Sequence, residues 1–156
     1  MIEQTVLRWG ILGAARVNER LMPAIVEADN AQLVAIASRR AGAAAATLAK
    51  YAPDEKGVEV FDDPDLVLNH TDIDAIYLPM ANEEHTEWAI KAIEQGKHVL
   101  IEKPMALSVA DIDAIAAAAK QYDVTVMEGF MYCFHPQHDF VAELIASGAI
   151  GEVRSI

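Results

Sequence analysis

Short apolar runs alternate with helical segments along the whole chain, and this alternation restricts the fold more than any other feature. The apolar runs have the character of buried strands and cover residues 6–12, 32–37, 58–61, 75–80, 97–101 and 124–127. Helical patterns follow them at residues 16–28, 41–51, 62–69, 85–95, 109–122 and 136–147. Because strands joined by helices pair in parallel, we predict an α/β fold with a doubly wound, mainly parallel six-stranded sheet and helices on both faces.

The composition limits the partners of the chain. It has 12 basic and 24 acidic residues among 156, and its formal net charge of −12 argues against binding nucleic acid or an anionic membrane. Cys133 is the single cysteine, which excludes an internal disulfide and suits a reducing cytoplasm. No apolar run reaches the roughly 18 residues of a membrane-spanning helix, and no signal sequence is evident. We therefore expect a cytoplasmic protein.

The first predicted strand ends in a glycine turn that leads into the first predicted helix. Gly13 can adopt conformations that larger residues resist, and the small Ala14 and Ala15 let a ligand approach the backbone. From Arg16 onward, the helix offers free N–H groups and the positive end of its dipole to an anion. The turn predicts a site for a dinucleotide pyrophosphate. However, Ala15 and Asn18 replace two fingerprint glycines, and an ordinary strand-to-helix turn shares this pattern.

The segment after the second predicted strand bears on the choice of cofactor. An NAD-binding chain usually has an acidic residue here that holds the ribose 2′-hydroxyl. This chain has Ser38, Arg39 and Arg40 instead, and a serine with two arginines suits the 2′-phosphate of NADP. The alternative is a solvated basic turn. Pro79, Asn82 and His85 lie at the carboxyl end of the fourth predicted strand, where open α/β sheets bind ligands. Alternatively, His85 simply begins the next helix.

Two further motifs follow the last two predicted strands. Glu102-Lys103-Pro104 follows the fifth strand, and Glu128-Gly-Phe-Met-Tyr-Cys-Phe-His-Pro136 follows the sixth. Together with the glycine turn and the basic turn, they closely resemble the glucose–fructose oxidoreductase / inositol dehydrogenase / MocA family. The last motif is most similar to its sugar and dihydrodiol dehydrogenase branch. The resemblance extends over the whole chain, and Glu-Lys-Pro after a strand is its most specific motif.

That resemblance implies a Rossmann domain that binds NAD or NADP, followed by a second domain with a large open antiparallel sheet. It also implies hydride transfer between the nicotinamide and a carbon of a sugar or polyol. By position, Lys103 matches the catalytic lysine of the family, beside the nicotinamide and near the substrate hydroxyl. Glu102 and Pro104 match the residues that set it there, the proline often after a strained or cis peptide. We therefore expect Glu102 and Lys103 to contact the cofactor as well. A lysine at a strand end can orient a hydroxyl and stabilise a developing alkoxide. Without the resemblance, a solvated lysine that closes the strand is the preferred interpretation of Lys103; with it, catalysis is preferred.

Other positions are assigned by the same resemblance. Asn82 and His85 match positions that line the nicotinamide side of the site, and Glu128 lies near the same mouth. Pro79 belongs to the same strand end. Besides the replaced glycines, one departure is Cys133, which stands where this branch commonly has arginine and puts a polar contact in doubt.

The predicted domain organisation follows from the family pattern. Residues 1–150 are expected to form the Rossmann domain, and residues 151–156 the first strand of a second domain that supplies most of the substrate pocket. We therefore predict the cofactor-binding part of an NADP-preferring sugar or polyol oxidoreductase, inactive alone, with NAD as a possible cofactor and homo-oligomers as possible assemblies. A non-catalytic dinucleotide-binding or sensing module is the alternative. A methyltransferase is disfavoured, because those proteins usually keep an acid after the second strand.

Overall fold

The computed structural model describes residues 5–155 and forms one six-stranded sheet. The strands are Leu7–Leu12 (β1), Ala31–Ala37 (β2), Glu59–Phe61 (β3), Ala75–Leu78 (β4), His98–Ile101 (β5) and Val126–Glu128 (β6). They lie side by side in the order β3-β2-β1-β4-β5-β6, and every neighbouring pair is parallel. The predicted doubly wound parallel sheet is confirmed.

Six α-helices lie within residues 5–155: Asn18–Glu27 (α1), Ala43–Tyr51 (α2), Pro64–Leu68 (α3), His85–Glu94 (α4), Val109–Tyr122 (α5) and Gln137–Ala146 (α6). Each was predicted, with ends that differ by at most two residues. The first helix begins later than predicted because the residues before it form a turn, in which the N–H of Asn18 donates to the Ala15 carbonyl at 3.2 Å. Pro23 lies inside α1, which continues without a break from Asn18 to Glu27.

The core has one layer on each face of the sheet, because successive side chains of a strand point to opposite faces. On β1, Ile11 packs in the layer with Met22 and Ile25 of α1. The next residue, Leu12, packs in the layer that contains Trp88 of α4 and residues of α3 and α5. This division into two buried layers is the packing expected for a doubly wound fold.

The strand order places a candidate site at one edge of the sheet. The chain runs from β1 outward through β2 to β3, and then returns to the other side of β1 to build β4, β5 and β6. The loops after β1 and β4 therefore leave in opposite directions and open a crevice at the carboxyl ends of these strands, which is where open α/β sheets bind ligands.

The segment after β6 is the most exposed part of the described chain. A 3₁₀ helix, Met131–Phe134, is followed by α6, in which every residue except Leu144 is exposed. The strand predicted at residues 151–156 is not formed over residues 151–155, because the described part of the sheet offers no partner strand there, and Ile156 lies outside the described residues. Among residues 5–155, no helix is both long and apolar enough to cross a membrane.

Candidate cofactor-binding site

Gly13 ends β1 and begins the turn that leads to α1. Its φ of 136° lies in the region that favours glycine, and its N–H donates to the Ala37 carbonyl at 2.9 Å. A Cβ atom here would lie 3.4 Å from the carbonyl oxygen of Pro79, at the end of β4. Both the backbone conformation and the close approach of a neighbouring strand end therefore favour glycine, as the sequence predicted.

Asn18, the first residue of α1, ties this turn to the helix. Its side chain is fully buried, and Nδ2 donates to the carbonyl oxygen of Gly13 at 2.9 Å. Its Oδ1 has no hydrogen-bond partner among the described residues, so it remains a buried acceptor that a bound water would satisfy. The sequence identified Asn18 only as a replaced glycine. The structure shows that its amide shapes the turn.

The segment after β2 contributes two arginines, of which one reaches the same turn. Ser38 is buried, and its Oγ accepts a hydrogen bond from the N–H of Arg40 at 3.3 Å. Nη2 of Arg40 donates to the carbonyl oxygen of Ala14 at 2.7 Å, and thereby joins the end of β2 to the glycine turn. Arg39 instead forms an ion pair with Glu84, which lies in the 3₁₀ turn before α4.

These residues line one cleft of about 210 Å³ at the carboxyl ends of β1, β2 and β4. The cleft unites most of the residues predicted to bind the cofactor, namely Gly13, Ala14, Ala15, Ser38, Arg39, Arg40 and Pro79. Its wall also contains three residues that the sequence analysis missed, Met80, Ala81 and Glu84. Arg16 and Asn82 are exposed and lie outside the lining, so their contact with a cofactor stays a prediction.

Two carboxylates hold the segment around Lys103, which follows β5. Glu102 accepts the Tyr77 hydroxyl at 2.8 Å through Oε1, and the N–H of Lys103 at 3.3 Å through Oε2. Glu128 accepts the N–H of Met105 at 2.8 Å. Burial, reinforced by the hydrogen bond and charge of Glu102, raises the pKa of Tyr77 far above its usual value, so its hydroxyl remains a donor. The glutamates thus position the chain on both sides of the exposed Lys103; their direct contact with a cofactor stays a prediction.

His85 occupies a structural position at the start of α4. Its side chain is fully buried, with Nδ1 2.8 Å from the Pro104 carbonyl oxygen and Nε2 3.1 Å from the Met80 carbonyl oxygen. Both ring nitrogens thus face main-chain carbonyls, and His85 is the first residue of α4, as the alternative interpretation stated. Contact between His85 and a cofactor stays a prediction. The Lys103–Pro104 peptide bond is cis, as the resemblance implied.

A second depression, of about 310 Å³, opens beside Glu102 and is almost entirely apolar. Residues of α1, of β4 to β6 and of the segment after β6 line it: Val17, Arg20, Leu21, Ala24, Tyr77, Leu100, Glu102, Met127, Gly129, Phe130, Met131 and Phe134. Cys133, in the same segment, is exposed and unpaired. Because this depression has few charged groups, the cleft at Gly13 is better suited to phosphate.

A comparison with known protein families decides the identity of this fold. Residues 7–130 match GFO_IDH_MocA, the oxidoreductase family with an NAD-binding Rossmann fold. The chain belongs to this family. The resemblance on which the sequence analysis relied is therefore confirmed.

Individual relatives align with nearly all residues of this GFO_IDH_MocA member. It is 35% identical over 150 residues to dTDP-3,4-didehydro-2,6-dideoxy-alpha-D-glucose 3-reductase of Actinomadura kijaniata, covering 96% of this chain and 44% of the relative. It is 36% identical to D-xylose 1-dehydrogenase (NADP(+)) 2 of Haloferax volcanii, and this match covers 96% of this chain and 45% of the relative. The crystal structure of a 3-ketoreductase from Actinomadura kijaniata with NADP and TDP-benzene matches with a TM-score of 0.88 at 34% identity, covering 96% and 45%. The chain spans less than half the length of these relatives.

Proposed function

We propose that the cleft at Gly13 binds a nicotinamide dinucleotide and prefers NADP(H) to NAD(H). The observation that carries this proposal is the basic wall formed by Ser38, Arg39 and Arg40 beside the glycine turn. A carboxylate at the end of β2 would favour the free ribose hydroxyls of NAD, whereas arginine pairs with a 2′-phosphate. The solved NADP complex of a 34% identical relative agrees with this preference.

The residues of the cleft fit the two charged parts of such a ligand. The pyrophosphate would lie against the turn at Gly13, where the start of α1 contributes the positive end of its dipole. The 2′-phosphate would lie against the wall formed by the segment after β2, beside Arg39 and Arg40. The apolar depression at Glu102 has no comparable set of donors, so we assign both phosphates to this cleft.

The chemistry we propose for the whole enzyme is hydride transfer to or from a carbon of a sugar or polyol. Bound nicotinamide supplies the hydride acceptor or donor. Lys103 would orient the reacting hydroxyl and stabilise negative charge on its oxygen, because its ammonium is exposed at the carboxyl end of β5. Glu102 and Glu128 would keep the main chain around Lys103 in place through the hydrogen bonds described above.

We infer that residues 1–150 are the cofactor-binding domain and that catalysis needs a substrate domain beyond them. The relatives are more than twice as long as the match, which leaves room for such a domain. Orientation of reactants can supply about 7–11 kcal/mol of a barrier, so the 156-residue chain alone should bind dinucleotide without measurable turnover. A cytoplasmic location also stays a proposal, supported by the unpaired Cys133.

Two measurements test this function. Calorimetry on the 156-residue chain should show tighter binding of NADPH than of NADH, and equal affinities would contradict the assignment of the basic wall. Absorbance at about 340 nm, where reduced nicotinamide absorbs, should stay constant when NADP⁺ and an aldose or polyol are added to this chain. Turnover by this chain alone would contradict the need for a second domain. Dinucleotide binding by the full-length protein without turnover on any sugar would favour the sensing module instead.

A further inference from the structure

The ion pair between Arg39 and Glu84 crosses the cleft proposed for the dinucleotide. Arg39 follows β2, whereas Glu84 belongs to the 3₁₀ turn between β4 and α4, and both residues line the cleft. The side chain of Arg39 is 58% exposed and that of Glu84 is 21% exposed. The pair therefore joins two loops that contribute different walls of the same site.

Stabilisation of the fold is a weak explanation for this pair. Ion pairs with this degree of exposure contribute only about 0–1 kcal/mol, because water and salt screen the charges. Arg40 already joins the loop after β2 to the glycine turn through its bond to Ala14. Unlike Arg40, Arg39 is not bonded to the glycine turn, so its guanidinium is the one available to an incoming anion. The ion pair with Glu84 engages this guanidinium.

A 2′-phosphate at this end of the cleft would meet both members of the pair. It would compete with the Glu84 carboxylate for the guanidinium of Arg39, and it would lie close to a like charge. The charge of Arg39 also contributes slightly to the lowered pKa of Glu87, after the larger effects of Lys91, so Arg39 lies among acidic groups of α4. NAD has a neutral 2′-hydroxyl at this position, so it does not compete with Glu84 for the guanidinium of Arg39.

We propose that Glu84 determines cofactor specificity by holding Arg39 and so weakening the binding of NADP. This inference rests on the proposed function of the cleft. It adds a residue, Glu84, that opposes the preference for NADP given by Ser38, Arg39 and Arg40. Binding of NADP exchanges one ion pair for another, whereas binding of NAD leaves the Arg39–Glu84 pair intact. Glu84 thereby narrows the difference in affinity between the two cofactors.

The test compares two glutamate variants in the same turn. Glu84→Gln removes the carboxylate that pairs with Arg39, whereas Glu83→Gln makes the same charge change at an exposed neighbour outside the cleft lining. Calorimetry with NADP⁺ and NAD⁺ is the readout. We expect Glu84→Gln to bind NADP⁺ about three- to tenfold more tightly, with NAD⁺ changed less than about twofold. Glu83→Gln should change neither affinity by more than about twofold.

A double-mutant cycle with Arg39→Ala separates release of Arg39 from simple repulsion. In the Arg39→Ala background, Glu84→Gln should no longer tighten NADP⁺ binding, because the guanidinium that it frees is absent. An undiminished gain in that background, weaker NADP⁺ binding by Glu84→Gln, or equal effects of both glutamate variants would each overturn the proposal. If the parent protein binds no dinucleotide, the proposed function itself fails; if it binds NADP⁺ and the variants behave alike, only the role of Glu84 fails.

Discussion

Arg39 and Arg40 are neighbours in the sequence, but each contacts a different wall of the cleft. Arg39→Ala should remove the guanidinium available to the 2′-phosphate. Because a hydrogen bond between charged groups contributes about 1.5–3 kcal/mol, the variant should bind NADPH about ten- to a hundredfold more weakly and NADH almost unchanged. Arg20→Ala, an exposed arginine outside the cleft, is the control. An equal loss for both cofactors in calorimetry would contradict a role in phosphate recognition.

Lys103 is the residue whose proposed role depends most on chemistry. In the full-length protein, Lys103→Met should lower kcat about 10²- to 10⁴-fold, because methionine cannot donate to the reacting oxygen. Cofactor affinity should stay nearly the same, since Lys103 lies outside the lining of the cleft. Steady-state kinetics with a panel of aldoses and polyols measures kcat, and Lys120→Met, at an exposed position on α5, is the control. An unchanged kcat would indicate that Lys103 is only a solvated residue at the end of a strand, with no catalytic role.

The predictability of the site differs between residues for a physical reason. Ser38, Arg39 and Arg40 were found from the sequence because they directly follow a strand, and the carboxyl end of that strand fixes where they lie. Asn18 and Glu84 were missed because their roles depend on atoms brought close by tertiary packing. Asn18 bonds back to Gly13, and Glu84 meets an arginine from another loop.

At the scale of elements, His85 connects α4 to two strand ends. Leucine at this position has a similar size but lacks the ring N–H that His85 has within hydrogen-bond distance of the carbonyls of Met80 and Pro104. An unsatisfied buried polar group costs about 1–3 kcal/mol, so His85→Leu should lower the free energy of unfolding by about 2 kcal/mol or more in urea titrations. His70→Leu, whose ring pairs with the exposed Glu59, should cost less. Intact stability with strongly weakened NADPH binding would show instead that His85 contacts the cofactor.

The start of β4 is tied to β1 by a charged pair. Nη2 of Arg8 lies 2.7 Å from Oδ1 of Asp74, and its Nε donates to Oδ2 at 2.9 Å. This hydrogen bonding is the main cause that lowers the pKa of Asp74, against the opposing effect of burial. Because the folded pKa lies below the unfolded value of about 3.9, the pair stabilises the fold fully above that pH. The stabilisation is lost as the pH falls through the folded pKa.

Asp74→Asn tests this pH dependence. At pH 7, the variant should lose about 1 kcal/mol of unfolding free energy, after allowance for the partial exposure of the pair. The difference from the parent should persist while the pH lies above the lowered folded pKa of Asp74 and disappear below it, where the parent also loses its charge. Urea denaturation over a series of pH values measures it. Asp72→Asn, at a more exposed partner of Arg8, should show a smaller difference, and a constant difference across the pH range would contradict the assignment.

The elements themselves were largely predictable, because periodicity and capping signals act locally. Ser108 caps α5 by accepting the N–H of Asp111 at 3.1 Å, and this helix has the predicted ends. Strand ends were less predictable, because pairing decides them. The third strand begins at Glu59 rather than residue 58, where it meets Ala35 of β2. The unformed strand at residues 151–155 has the same cause, since a strand needs a partner.

At the scale of the whole molecule, apolar surface is concentrated after β6. The side chains of Phe140, Val141 and Ile145 are exposed on α6, and Phe130, Met131 and Phe134 border the apolar depression. Exposed apolar patches of this kind are typical of interaction surfaces. Residues 151–155 form no strand. If two copies of the chain associate, we therefore expect them to do so through these apolar side chains rather than by pairing strands.

We therefore expect the 156-residue chain on its own to self-associate through a second copy of this surface. Size-exclusion chromatography with light scattering should show an average mass that rises with protein concentration. The double variant Phe140→Ser and Ile145→Ser should shift the equilibrium toward monomer, because each serine removes apolar area that association would bury. Val109→Ser, at an exposed apolar residue on α5, should leave the mass unchanged. A monomeric parent at every concentration would contradict self-association without affecting the proposed cofactor site, since the cleft at Gly13 shares no lining residue with the depression.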